Sequence, residues 1–213
     1  MSDERAVNAR TTYRHGDLRE ALVEAGVEMA REGGPRAVVL REATRRAGVS
    51  PNAAYRHFTD RDALLQVVSD TCLGFAADRI EAEFDAHPPT GDAEADARMM
   101  LRSVGTGYIG FAREEPGLFR TAFSVPDNLQ RAGDASKAGR RGRTPFQLVG
   151  LALDALVATG VLPPERRPGA EFQAWATVHG LGMLVIDGPL RGLTDPMIDA
   201  ATERLLDMVD RGL

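Results

Sequence analysis

Tyr55-Arg56-His57-Phe58 sets a phenol, a guanidinium, an imidazole and a phenyl ring on four consecutive residues. On a helix, four consecutive side chains point to every side, so this cluster is neither all core nor all solvated, and part of it must face a partner. A guanidinium beside hydrogen-bonding rings suits phosphates and base edges, because arginine pairs with phosphate or guanine in a bidentate way. Taken singly, Tyr55 or His57 reads equally as a half-buried helix residue. Other chemistries lack their residues. Four scattered histidines, a single cysteine (Cys72) and no His-Glu-x-x-His leave no metal-ligand spacing. No local motif supports a Ser-His-Asp or Cys-His arrangement. Gly105-Thr106-Gly107-Tyr108-Ile109-Gly110 formally fits the dinucleotide pattern G-x-G-x-x-G, but no strand precedes it and helical periodicity runs through it. No metal, no cofactor and no enzymatic activity are therefore expected. A dimeric interaction module without DNA binding would require the Tyr55–Phe58 cluster to be coincidence.

The elements that must hold this cluster are helices. Leu18, Ala21, Leu22, Ala25 and Met29 recur at helical spacing and predict a helix from Asp17 to Glu32, ended by Gly33-Gly34-Pro35. A short pattern through Leu40, Ala43, Thr44 and Ala47 stops at Gly48, a residue free to take positive φ. Ser50-Pro51 restarts it, with serine as N-cap and proline at the first helical position. Two short helices across a glycine turn match the helix-turn-helix, whose second helix enters the DNA major groove. Thr59 followed by Asp62 fits a capping box that opens a long helix through Leu64, Leu65, Val68, Leu73, Phe75 and Ile80, ending near Phe84. Breaks at His87–Gly91 and Glu115–Gly117 bound a helix over Ala93–Glu114 and lead to a short one over Leu118–Phe123. Pro126–Arg143 is polar, basic and glycine-rich without an apolar period, and reads as a mobile loop. Helices over Pro145–Thr159, Ala170–Ile186 and Pro196–Arg211 complete an all-α chain with no alternating strand of useful length.

Composition allows this reading. The 213 residues are 27% charged and 43% hydrophobic, so they suit a folded globular chain rather than a disordered one. The net charge of −5 hides an asymmetry: residues 1–61 carry 11 Arg against 9 Asp+Glu, and the remainder 15 Lys+Arg against 22 Asp+Glu. The basic end is the one with the cluster, although a solvated mixed surface would look the same. A lone cysteine, no apolar run in Met1–Gly16 and no stretch of 18 apolar residues make cytoplasm the expected location, with no membrane partner.

The stretch LREATRRAGVSPNAAYRHFTDRDALL, Leu40 to Leu65, resembles the TetR family of one-component transcriptional regulators. The carrying pattern is a small residue with Gly-Val-Ser, then Tyr-x-His-Phe, then a charged pair and Leu-Leu. The resemblance implies an N-terminal three-helix helix-turn-helix DNA-binding domain over residues 1–61 and a larger helical effector-binding and dimerisation domain over 62–213. It implies that Tyr55 and His57 hold phosphates, that Asn52, Ala53 and Arg56 approach bases, and that Arg41 reaches DNA from the side. Thr44 and Arg61 join this DNA-facing set, with Val49 and Phe58 in the core. Two departures stand out: Val38-Val39 replaces the family's usual Thr or Ser cap, at a cost of about 1 kcal/mol, and Thr44 replaces its usual Ala.

A second stretch, AWATVHG from Ala174 to Gly180, resembles the Trp-x-x-x-His-Gly signature of a C-terminal domain in one TetR-like branch. Phe172, Trp175, Ala176, His179, Met183 and Ile186 form one apolar stripe, and Ala174, Val178, Leu181 and Val185 the opposite one. A helix apolar all round is buried on both sides. Ala174, Val178, Leu181 and Val185 are expected to meet a second subunit together with Met197, Ala201, Leu205 and Met208, the four-helix dimer interface typical of the family, with Gly180 and Gly182 allowing close approach. Met99, Met100, Tyr108, Phe119, Phe123 and Trp175 are large enough to line a cavity, with His179 beside them, or to be core. The resulting expectation is a homodimeric repressor released from double-stranded operator DNA by a mostly apolar small-molecule effector.

Overall fold

The computed structural model describes residues 15–213, with side chains from Leu18 onward; the expectations for Met1–Gly16 fall outside these residues except for the last two. Among the described residues every regular element is helical. Helix α1 (His15–Gly33) buries Leu22, Ala25 and Met29, the stripe its spacing predicts. Helix α2 (Leu40–Arg46) starts after Val39, whose side chain makes no capping hydrogen bond. Gly48 takes φ of +67° and turns the chain, and Ser50 Oγ accepts the Ala53 N–H at 3.4 Å to start α3 (Pro51–Ala54). A turn through Tyr55–His57 continues α3, with the Phe58 N–H on the Ala54 carbonyl at 3.0 Å.

Helix α4 (Arg61–Ala86) is the axis of the molecule and packs against α1, α5 (Ala93–Glu114), α6 (Pro116–Ala122) and α7 (Pro145–Ala158). Its N-cap is Asp60, not Thr59: Asp60 Oδ1 accepts the Ala63 N–H at 2.8 Å, while Thr59 Oγ1 donates to Asp60 Oδ2. The expected capping box is therefore replaced by a cap one residue later, where the carboxylate also faces the positive helix end. Leu64, Val68, Cys72, Ala76 and Ile80 are all fully buried. Burial pushes the Cys72 thiol up to about 12, so it serves as a small apolar core residue.

Asp92 caps α5 by accepting the Glu94 and Ala95 N–H groups, each at 3.1 Å. The glycine run on α5 has a packing role. A Cβ on Gly107 would stand 2.6 Å from the Ile80 Cα of α4, and one on Gly105 would collide with Leu206. Small residues let α5 lie close between α4 and α9 (Asp195–Gly212).

Two expectations are corrected. The segment 126–143 is not a loose loop but a strap docked on α4. Asp70 accepts Arg131 at 3.2 Å and Ser136 at 2.9 Å; Asp78 accepts the Arg140 N–H at 2.7 Å; Asp85 pairs with Arg141. Gly74 faces the Ala138 carbonyl so closely that a Cβ would meet it at 2.7 Å. The second correction concerns α8 (Ala170–Ile186). Ala174, Val178, Leu181 and Val185 are buried inside the chain's own core, and the exposed side carries Phe172, Ala176, Met183 and Leu184. Gly182 likewise points inward, onto the Phe119 ring. The stripe expected at the subunit interface is the inner one, and Ile186 of the other stripe is buried as well. On α9, Met197 and Met208 are exposed and Ala201 and Leu205 half-buried.

Candidate functional site

The helix-turn-helix head is held by residues that do not face outward. Ala54 and Phe58 are buried, and the Arg19 guanidinium lies 5.5 Å over the Phe58 ring. This leaves Asn52, Tyr55 and Arg56 exposed and Ala53 and His57 half-exposed, so the cluster presents one cation and two hydrogen-bonding rings on the outer side of α3. Arg41 is exposed on α2 beside it. The neighbouring arginines are occupied. Glu42 accepts Arg45 at 2.6 Å and Arg46 at 3.0 Å, and Arg46 also reaches Glu32 at 2.8 Å, tying α2 to α1. The Arg45 and Arg46 hydrogen bonds hold the Glu42 carboxyl down at about 2. Among the described residues, Arg41 and Arg56 have no such carboxylate partner, so they are the cations this face offers to an anion.

Two members of the expected DNA-facing set have other work. Thr44 is 3% exposed, with its Oγ1 donating to the Arg41 carbonyl at 2.6 Å, so it is buried away from the DNA-facing side. Its methyl packs in the head, where the family's usual alanine would also fit. Arg61 donates to the Val38 carbonyl at 2.9 Å and to the Pro35 carbonyl at 2.6 Å, fastening the α1–α2 connection to the start of α4. Spacing could not reveal these bonds, since their acceptors are backbone groups more than twenty residues away.

Some 20 Å of helix further along α4, a cavity of about 520 Å³ opens between α4, α5, α7, α8, α9 and the strap. Leu73 and Ile80 of α4, Val104 and Tyr108 of α5, Phe146 and Val149 of α7 and Val178 of α8 form its apolar wall. Of the seven expected lining residues, Tyr108, Phe123 and Trp175 do line it. Phe119 is fully buried behind Tyr108, with ring centroids 5.4 Å apart. Met99 is exposed on the outer side of α5, and Met100 also lies off the wall. His179 stands behind Tyr108 rather than in the wall. Ala174 and Val178, expected at a subunit interface, are part of the wall instead.

The Trp-x-x-x-His spacing has a structural meaning. Residues four apart share a helix face, and here both reach the same phenol: Trp175 Nε1–H donates to Tyr108 Oη at 3.1 Å, and Tyr108 Oη lies 2.9 Å from His179 Nδ1. In the Nε2–H tautomer of His179, the Tyr108 oxygen accepts from Trp175 while its own proton goes to His179 Nδ1. Burial pushes the Tyr108 phenol up and the His179 imidazole down, which favours the neutral form of both. Charged side chains line the wall at the strap, Asp127 and Lys137, and across from it, Arg102 of α5 and Asp210 of α9. Lys137 is 2% exposed, and its ammonium is bonded to Asp127 and, at 2.8 Å, to the Arg131 carbonyl. A lysine inside a polar, glycine-rich stretch gave no sequence signal of such burial.

Among the described residues no helix is long and apolar enough to cross a membrane, and no group of three His, Cys, Asp or Glu side chains could hold a metal ion.

Two family models match the chain. Residues 22–68 match "Bacterial regulatory proteins, tetR family". Residues 101–209, half of the chain, match "Tetracyclin repressor-like, C-terminal domain". No curated protein matches it. Among solved structures, it is similar to a protein of unknown function from Rhodococcus sp. RHA1, at 24% identity over 96% of this chain and 99% of that one, with a TM-score of 0.72. It is also similar to a TetR family transcription regulator from Marinobacter aquaeolei VT8, at 21% identity over 89% and 94%, with a TM-score of 0.56. A TetR variant from Acinetobacter baumannii AYE in complex with minocycline is similar at 20% identity over 94% and 96%, with a TM-score of 0.59. At such identities the likeness is one of fold.

Proposed function

This chain belongs to the TetR family of bacterial transcription regulators, and we propose that it is a homodimeric repressor released from its operator by a mostly apolar small molecule. It is a DNA-binding regulator and not an enzyme; the repressor role, the dimer and the effector are the proposed part. The observation that carries the reading is the course of α4, one uninterrupted helix with its start in the DNA-reading head and Leu73 and Ile80 in the cavity wall. A ligand that displaces these side chains moves the element on which the head is mounted. We place the division between the two domains at residues 61 and 62, in the first turn of this helix.

On the operator, Arg56, Asn52 and Ala53 approach base edges, and Tyr55, His57 and Arg41 hold phosphates. Exposure of these residues and the lack, among the described residues, of a carboxylate partner for Arg41 and Arg56 support the assignment. The second subunit covers the exposed apolar stripe of α8, Phe172, Ala176, Met183 and Leu184, with Met197, Ala201, Leu205 and Met208 of α9. Gly180 lies in that stripe with open space where its Cβ would be. A two-fold dimer then addresses half-sites about 34 Å apart on a near-palindromic operator. We assign the C-terminal domain to the Trp-x-x-x-His-Gly branch, a reading supported by the convergence of Trp175 and His179 on one phenol.

The test is selection of genomic fragments with purified protein, followed by titration of compounds on the free protein and on its operator complex. Linkage requires that an inducer weaken DNA binding, and that DNA weaken inducer binding, by the same factor, about 5- to 150-fold. A compound bound equally well by both forms is not the inducer. Failure to select any fragment at low salt would refute the reading.

A further inference from the structure

We propose that the cavity takes an uncharged ligand, apolar over most of its length, that carries one hydrogen-bond acceptor received by the Lys137 ammonium of the strap. This rests on the effector-cavity reading and adds the ligand's charge and the position of its polar atom.

The argument is one of charge accounting at the wall. Every charged side chain there already has its counter-charge within the protein. Lys137 is bonded to Asp127, Arg102 to Asp207 at 2.7 Å, and Asp210 to Arg98 at 2.7 Å. A carboxylate or ammonium entering such a site loses its water and meets no uncompensated opposite charge, which costs several kcal/mol for an ion. An uncharged guest does not incur that cost. The rest of the wall is aliphatic and aromatic, and the hydroxyl of Tyr108 is engaged on both sides by Trp175 and His179.

One donor is left over. An ammonium has three N–H groups. Lys137 uses one on Asp127 and one on the Arg131 carbonyl, and among the described residues no third acceptor is bonded to it. The side chain belongs to the cavity wall and is only 2% exposed, cavity surface included, so little water reaches that proton. A carbonyl or ether oxygen at the strap end of the ligand would accept it. A hydrogen bond to a charged donor is worth more than a neutral one, so this single contact discriminates.

Trp175 is the sole tryptophan and lines the cavity, so its emission reports occupancy directly. Three probes with the same carbon count separate the alternatives: hexylbenzene, hexanophenone and 6-phenylhexanoate, titrated into the full-length protein at neutral pH. The ketone is expected to bind about tenfold more tightly than the hydrocarbon and at least about tenfold more tightly than the carboxylate. In Lys137→Met, checked for folding by its thermal transition, the ketone's advantage over the hydrocarbon should disappear while hydrocarbon binding remains. Preference for the carboxylate, or equal binding of ketone and hydrocarbon by the unaltered protein, overturns the proposal without any variant and leaves the effector cavity standing. A ketone preference that survives Lys137→Met also overturns it. If none of the three probes changes Trp175 emission, the effector-cavity reading itself falls, and this inference with it.

Discussion

Tyr108→Phe removes one oxygen and leaves the ring, so it isolates the hydrogen bonds that join α5 to α8. The aromatic contacts of Tyr108 with Phe119 at 5.4 Å and Phe123 at 6.2 Å persist in the variant. Two bonds are lost, Trp175 Nε1 to Oη at 3.1 Å and Oη to His179 Nδ1 at 2.9 Å. Each is worth about 1 kcal/mol net. The two orphaned groups differ. Trp175 is 38% exposed, and its N–H can turn to water. His179 is half-buried, and its Nδ1 is left as an acceptor without a donor. The expected loss is therefore about 2 kcal/mol, and a lower thermal midpoint by about 4–8 °C for a chain of this length. Urea unfolding followed by far-ultraviolet circular dichroism, at fixed protein concentration because an oligomer's stability depends on it, measures the effect. In a His179→Phe background the same substitution should cost about 1 kcal/mol less, since one of its two bonds is already absent. Equal stability of Tyr108→Phe and the unaltered protein, or strict additivity with His179→Phe, would refute a shared network.

Arg56→Ala should relax sequence preference and cost about 1–3 kcal/mol on the best site, whereas Tyr55→Phe should weaken all sequences alike; binding titrations on an operator and on scrambled DNA separate the two. Leu184→Asp, on the exposed side of α8, should split the dimer in sedimentation while the subunit stays folded, whereas Val178→Asp, buried in the cavity wall, should unfold it. Burial lowers the His179 pKa from its ordinary 6.5, so the unfolded chain binds the extra proton first as the solution is acidified. The stability from neutral His179 is present above about pH 6.5 and lost as pH falls through the lower folded value. His179→Phe should flatten the profile on the acid side of about pH 6.5, read from urea midpoints.

The helices were legible where capping and breaking residues punctuate them. Gly48 and Ser50-Pro51 frame the turn and start of α3, and the His87–Gly91 and Glu115–Gly117 breaks frame α5, because a positive φ or a missing N–H acts on the nearest residues. The DNA-reading head was legible for the same reason, since its motif is compact in sequence. The faces of α8 were not. A helix apolar on two sides has no periodicity to say which side is inner, and the choice was made by Gly182 and Val178 fitting against α5 and α6. Order in the strap was also hidden. Its composition is that of a loose segment, but its partners Asp70, Asp78 and Asp85 lie some sixty residues earlier and come into reach only when α4 is in place. Thr44 and Arg61 were misassigned because residue type indicates what a side chain can bond, not whether the backbone has already engaged it.

The strap gives the cavity a roof whose ties to α4 are spread over Asp70, Asp78 and Asp85, about four turns of helix. A cover fastened at several points along its length does not peel back at one corner; lifting it far enough to admit a guest means breaking neighbouring ties together. Exposed ion pairs such as Arg141 with Asp85 weaken as salt rises. If a guest enters beneath the strap, its rates of entry and exit are expected to rise with ionic strength, separately from the affinity set by the apolar wall. How long the regulator holds its guest would then be governed by the fastening of the roof, and how tightly by the lining beneath it.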